Sequence, residues 1–342
     1  MPPLSEAERG MPLVSVVVPT FNRSRYLDGA IRSALAQTYG NIEVIVSDDA
    51  SVEDVYGTTV VKFDDPRLRY VRNPVNLGMG RNIWGAMAAA GGKYVATLHD
   101  DDEWEPGFLA AMVPPLERDE TLSVAFCDHA IIDAEGRLNE DEANRNTRYW
   151  HRDGLPAGVL HPFLELALVT RVLPAAMAAV FRKSAIDWGD FPAEVGTYYD
   201  AWITYLAART GAGAFYDPRR LTRYRIHGQS ETRSWTSSAG RLKALTQAEF
   251  VARRCLDDPA LLRIRPDLAR QYRTAVLSLG MALIENGRGD DARRLIERAR
   301  ASIDMPTRAG LTLLAALPPP AQRGLVGSAR RILAAVSRLN DR

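Results

Sequence analysis

Cysteine is nearly absent: Cys127 and Cys255 are the only two in 342 residues, and each sits in an apolar or helical context. Two isolated thiols make neither a disulfide framework nor a zinc site, and they suit buried thiols of a reducing cytosol. Histidine is also sparse, and His99, His129, His151 and His161 show no ligand spacing. No charge dominates, since 43 Lys and Arg face 42 Asp and Glu for a net charge of +1. That balance gives no global signal for a nucleic-acid partner or an anionic membrane. No run of 18 or more apolar residues exists, so no segment reads as membrane-spanning. Residues 1–10, with Glu6, Glu8 and two prolines, lack the apolar region of a signal peptide and read as a disordered tail. These absences predict a cytoplasmic protein.

At this length two domains are the expectation, and 46% hydrophobic with 25% charged residues is ordinary globular composition. Val14 to Val18 is a valine-rich run stopped by Pro19, which predicts a central parallel strand. Ser24 can cap a helix from Arg25 to Gln37. Strands are expected at Ile42 to Val46 and around Arg69 to Val71, a helix at Met79 to Ala90 and a strand at Tyr94 to Leu98. This alternation predicts an α/β nucleotide-binding sheet with right-handed crossovers. Beyond it, Glu105 to Leu116 reads as helix, Leu122 to Cys127 as strand, and the polar stretch Leu138 to Asp153 as a loop or lid. Ala175 to Phe181 and Gly213 to Tyr216 read as strands, Tyr198 to Arg209 as a helix. From about Ser237 onward the pattern is helical, with a hairpin at Gln271 to Asn286 and Asp290 to Ala301. The chain thus divides into 11–235, with halves 11–105 and 106–235, and a helical region 236–342.

The chemistry concentrates at Leu98-His99-Asp100-Asp101-Asp102-Glu103-Trp104. Three carboxylates in a row at the end of a buried strand repel one another unless a cation sits among them. The C-terminal edge of such strands is where open α/β sheets bind ligands. All-oxygen donors suit Mg²⁺ or Mn²⁺, which commonly bind through one or two carboxylates plus substrate phosphates. An acidic surface turn is the plain alternative for the triplet taken by itself.

Val14-Ser15-Val16-Val17-Val18-Pro19-Thr20-Phe21-Asn22-Arg23, Val46-Ser47-Asp48-Asp49-Ala50-Ser51, Asn76-Leu77-Gly78-Met79-Gly80-Arg81-Asn82 and the aspartate triplet with Trp104 and Pro106 follow in that order. Together they closely resemble family 2 glycosyltransferases, nucleotide-sugar enzymes of GT-A fold, over roughly residues 12–235. The resemblance implies inverting transfer from a UDP-sugar, or a dTDP-sugar, to an acceptor hydroxyl. It places Pro19, Thr20 and Asn22 at the nucleotide crevice and gives Asp49 the imide N–H of the base, with turn or capping chemistry the alternative. Arg81 is implied to reach the nucleotide or its phosphates, or else to be a solvated helix residue. Asp100 aligns with the ribose acid and Asp101 with the metal acid. Asp102 is a further or water-mediated metal ligand. His99 stands where the family often carries an acid, which leaves open which two of Asp100, Asp101 and Asp102 hold the metal. Asp200 in Tyr198-Tyr199-Asp200-Ala201-Trp202 matches the general base at a helix start, although the usual Glu-Asp pair is missing; Glu194 is the fallback. Arg223-Tyr224-Arg225-Ile226-His227-Gly228-Gln229-Ser230 resembles the closing motif, with Arg225 clamping the diphosphate and His227 completing the metal shell.

A nucleotidyltransferase would want a Gly-rich basic loop after the first strand, and a dehydrogenase G-x-G-x-x-G; neither is there. A non-catalytic nucleotide-sugar-binding module would not need Asp100, Asp101 and Asp200 together. The acceptor is left open between a glycan, a lipid-linked glycan and a small molecule. Its specificity is expected in Leu138 to Val180 and the C-terminal helices. Leu325, Val326, Ala329, Ile332, Leu333, Val336 and Leu339 share one helical face near Arg330, Arg331 and Arg338. That face suits peripheral contact with an anionic membrane, or packing on the domain or on a partner subunit of a homo-oligomer.

Overall fold

The computed structural model describes residues 10–173, 175–228, 237–303 and 305–316. The chain divides into two compact units, Met1–Ser230 and Glu231–Arg342. The first begins with β1 (Val14–Thr20), α1 (Ser24–Leu35), β2 (Ile42–Asp48), β3 (Leu68–Arg72), α2 (Met79–Ala89) and β4 (Tyr94–Thr97). β1 pairs in parallel with both β2 and β4, and β2 with β3. Every residue of β1 is buried, as a strand covered on both faces requires, and its valines explain the run. The strand continues through Pro19 instead of stopping before it. β4 ends level with Val17, so from Pro19 onward one flank has no strand that would need its missing N–H. Ser24 is the first residue of α1 and makes no capping bond; its N–H is instead accepted by Glu53 Oε2 at 3.3 Å.

The rest of the unit adds β5 (Glu103–Trp104), α3 (Phe108–Arg118), β6 (Leu122–Ile132), α4 (Glu140–Tyr149), β7 (Gly158–Leu160), β8 (Ala179–Arg182), α5 (Tyr199–Ala208) and β9 (Gly213–Arg225). The strand order is β3-β2-β1-β4-β8-β6-β9-β5, with β7 also on β9. This is the curled mixed sheet of a GT-A fold, and β8 pairs antiparallel with both β4 and β6 where it joins the two halves. The expected loop at Leu138 to Asp153 is largely the helix α4. Asn139 caps it by accepting from Glu142 N, acids fill its first turn, and Ala143 packs beneath. The strand expected from Ala175 starts only at Ala179, after a 3₁₀ turn over Ala176–Ala178. β9 runs to Arg225, far beyond Tyr216, because it pairs along the whole of β6 and then with Glu103 and Trp104.

The second unit contains α6 (Ser238–Asp257), α7 (Arg265–Glu285), α8 (Gly289–Arg298) and α9 (Met305–Ala316). Its core gathers Tyr272, Val276, Leu279, Leu283, Leu295, Ile296 and Leu311. The expected hairpin is present, turning through Gly287 in the left-handed region at φ 71°. Cys127 and Cys255 are both buried. No helix among the described residues is long and apolar enough to cross a membrane. The helical face expected at Leu325 to Leu339 lies outside the described residues, as do Gln229 and Ser230 of the closing motif.

Candidate active site

The C-terminal ends of β1, β2 and β4 form one edge, and the predicted acids collect there. Leu98 N still bonds Val17 O at 2.9 Å, so the chain leaves β4 only at the triplet itself. Trp104 fixes the far end of that turn: its indole donates to Met177 O at 2.8 Å and its ring packs on Phe108. All three carboxylates are held inside, with Asp100 at 2%, Asp101 at 8% and Asp102 at 1% exposure. Burial of like charges at such spacing demands cations. Arg23 supplies one, 3.0 Å from Asp100 and 3.1 Å from Asp101, and His227 Nε2 lies 2.9 Å from Asp101 Oδ2. Burial raises the pKa of Asp100, and it does the same to Asp102. Asp101 is held below the usual carboxylate range despite burial, because Arg23, His99 and His227 surround it.

His99, set aside in the sequence, belongs to this cluster. Its Nδ1 is 3.2 Å from Asp102 Oδ2, and its Nε2 meets the Tyr199 hydroxyl. Burial opposes its charge, yet the bond to Asp102 and the fields of Asp102, Asp200 and Asp101 hold its pKa up at about 9. The only sequence signal for His99 was its place beside the triplet. Arg23 was missed in the same way.

A metal ion fits these donors. One atom each from His99, Asp101 and Asp102 lies within 4.8 Å of the others, and Asp100 Oδ2 is buried without a hydrogen bond among the described residues. An orphaned buried carboxylate oxygen is what a hard cation satisfies. Asp102 is already engaged on both oxygens, by Arg225 N at 2.8 Å and by His99. Asp101, with His227 beside it, is the better-placed ligand.

The nucleotide-side residues are close by but more committed than the sequence implied. Asn22, in the left-handed region at φ 51°, ties the 20–24 turn to the 51–53 turn: its Oδ1 accepts from Val52 N at 2.7 Å and its N–H donates to Ser51. It shapes the crevice through these bonds. Asp48 is fully enclosed and accepts from Ser51 N, Tyr70 and Arg72. Asp49 accepts from Leu77 N, Gly78 N and Asn73, so most of its capacity goes to closing the 73–78 loop. Thr20 is buried beside Pro19 at the end of β1, and its hydroxyl makes no hydrogen bond among the described residues. Arg81, in the first turn of α2, is exposed.

Arg225 does not stand free to clamp a diphosphate. Its guanidinium is buried and bonds Glu103, Asp101 O and Asp133 O, with Tyr26 stacked at 4.8 Å. It braces the triplet from behind, a role set by the end of β9. Asp200 occupies the first turn of α5, where Ala176 N donates to its Oδ1 at 2.7 Å. Burial raises its pKa, while His99, Ala176 N and Tyr199 pull the other way. Glu194 is exposed on the preceding loop.

Known proteins agree with this geometry. The sequence profile of Glycosyl transferase family 2 matches residues 15–170. A GalNAc(5)-diNAcBac-PP-undecaprenol beta-1,3-glucosyltransferase of Campylobacter jejuni is 35% identical over 226 residues, 64% of this chain and 66% of its own length. An Escherichia coli glycosyl transferase named for colanic acid biosynthesis is 32% identical over 125 residues, 36% of this chain and 45% of its own. This chain therefore spans less than two thirds of either relative. Among solved structures, a Pyrobaculum calidifontis mannosyltransferase in complex with GDP-Man and Mn²⁺ superposes with a TM-score of 0.55 at 20% identity, covering 98% of this chain and 89% of that one. Staphylococcus aureus TarS with UDP-GlcNAc superposes at 0.52 and 16% identity, covering 93% and 91%. These likenesses show the GT-A fold, and the profile match together with the two relatives shows that the chain is similar to glycosyl transferase family 2 over its N-terminal part.

Proposed function

We propose that this protein is an inverting glycosyltransferase that moves a sugar from a UDP-sugar, or a dTDP-sugar, to an acceptor hydroxyl. The observation that carries the reading is the convergence of three buried carboxylates, Arg23 and His227 on one sheet edge, with Asp200 across His99 from them. A diphosphate needs cations, and an attacking hydroxyl needs a base; Arg23 and a divalent cation at the triplet would supply the first and Asp200 the second. Asp200 is the general base. Asp100 faces the ribose, Asp49 and the 73–78 loop the base, and Pro19, Thr20 and Asn22 shape the crevice. Asp101, with Asp102 and His227, would hold a divalent cation, Mn²⁺ or Mg²⁺, which supplies charge neutralisation to the departing diphosphate. The relative from Campylobacter jejuni is named for an undecaprenol-linked glycan, which supports a glycan or lipid-linked acceptor here. The apolar face of residues 325–339 would serve packing on the domain or a partner subunit, or peripheral contact with the inner face of the membrane.

Calorimetric titration with UDP and Mn²⁺ tests the donor half. Wild-type protein should bind, Asp101→Asn should lose metal-dependent binding, and Asp200→Asn should bind within a few-fold of wild type. Loss of UDP binding in Asp200→Asn would put that residue on the donor side and overturn its assignment as base.

A further inference from the structure

Tyr26 stands in the first turn of α1, and its ring joins two residues of the closing motif. The Arg225 guanidinium lies 4.8 Å from the ring centre, and the His227 imidazole lies 4.9 Å away at a tilt of 53°. Both separations fall in the range of attractive cation–π and ring–ring contacts. Both partners also border Asp101. Arg225 donates to its backbone oxygen at 2.8 Å, and His227 Nε2 lies 2.9 Å from its carboxylate. Arg23, one helical turn before Tyr26, meets the same carboxylate at 3.1 Å. The start of α1 and the end of β9 therefore close together on Asp101.

The two neighbours of the ring stand on different footings. Arg225 closes β9 and keeps hydrogen bonds to Glu103, Asp101 O and Asp133 O whatever stands at position 26. His227 lies two residues past the strand, just after Ile226 N bonds Ile132 O at 2.9 Å. The Tyr26 hydroxyl is buried and makes no hydrogen bond among the described residues, so the ring carries these contacts. We propose that Tyr26 is a positioning residue whose ring, seated on the fixed Arg225 guanidinium, holds the His227 imidazole against Asp101 and so sets one donor to the divalent cation. This rests on the reading of Asp101 and His227 as metal ligands. An aliphatic side chain of similar size offers neither attraction to a guanidinium nor a flat face for an imidazole.

The test is calorimetric titration of the full chain with Mn²⁺ at saturating UDP. Tyr26→Leu, which keeps a good helix former in α1, should raise the Mn²⁺ Kd roughly ten- to hundredfold, the scale on which groups that orient a ligand act. Tyr26→Phe should stay within about twofold of wild type, since the hydroxyl it removes makes no hydrogen bond. Adding Tyr26→Leu to His227→Ala should cost no more than His227→Ala does, because both act through one imidazole. Wild-type Mn²⁺ affinity in Tyr26→Leu, an equal loss in Tyr26→Phe, or additive losses in the double variant would each overturn the inference. Tyr26→Met takes the place of Tyr26→Leu if the latter does not fold. His227→Ala by itself separates the two claims. If it loses Mn²⁺ while Tyr26→Leu does not, only the positioning role fails. If it binds Mn²⁺ as the wild type does, or the wild type binds none, the reading beneath it fails.

Discussion

Asp200 carries the largest single expectation. Its replacement by Asn keeps the shape and the bond from Ala176 but removes the proton acceptor, so turnover should fall roughly 10²–10⁴-fold. Its pH dependence has a definite sign. The fold raises the pKa of Asp200 through burial, so the ionised, working form is disfavoured relative to a free carboxylate. The rate should therefore fall, as pH drops, through a midpoint above the ordinary carboxylate value of about 4. A pH–rate profile whose acid limb sits at that ordinary value would contradict the burial argument. Arg23 makes a second residue-scale case. The triplet alone suggested that Asp100 and Asp101 lacked any counter-charge, whereas Arg23 bridges both. A guanidinium and a divalent cation compete for the same oxygens. Arg23→Met should lower the thermal midpoint of the metal-free protein and enlarge the upward shift that Mn²⁺ produces. Equal Mn²⁺ shifts in variant and wild type would show that Arg23 and the metal do not share these carboxylates.

Elements decide where these residues meet. α2 presses on the loop before α5: a Cβ at Gly80 would come within 2.0 Å of Gly196 O and 2.8 Å of the Phe191 ring, while Trp84 donates to Gly189 O at 3.0 Å and stacks on Trp188. Gly80→Ala should cost roughly 1–3 kcal/mol by overpacking, read as a lowered thermal midpoint, because the backbone oxygen cannot step aside. An unchanged midpoint would mean that the loop gives way freely. The first half of the fold was legible for a simple reason: Val14 to Val18, Ile42 to Val46 and Tyr94 to Leu98 are strands buried on both faces, and such strands are written as apolar runs. The second half was less so. β9 from Asp217 to Arg225 is rich in arginine and looks polar. It is a strand because β6 and β5 supply partners, a fact of tertiary pairing. α4 hid behind its charges, since only Ala143 of its ten residues is buried.

At the scale of the molecule, the acids of the site were legible as a group while their commitments were not. Asp49, Asn22 and Arg225 stand where the motifs put them, yet much of their bonding capacity closes loops, because a buried polar group is paired with whatever the fold brings near. His99, which stands where the family often carries an acid, and Tyr199, next to Asp200, touch each other. That contact joins residues 100 apart and left no trace in local spacing. Chelation is the corresponding whole-site prediction: EDTA should stop nucleotide-sugar turnover and Mn²⁺ or Mg²⁺ should restore it, and full activity in EDTA would leave Arg23 as a sufficient cation. The central claim is that this sheet edge binds a nucleotide sugar and cleaves it. Its most direct test is nucleoside diphosphate release from a panel of UDP- and dTDP-sugars with Mn²⁺, compared between wild type and Asp101→Asn. The account predicts release from at least one donor by the wild type and its collapse in the variant. Release that is equal in both, or absent from the wild type with every donor, would contradict it.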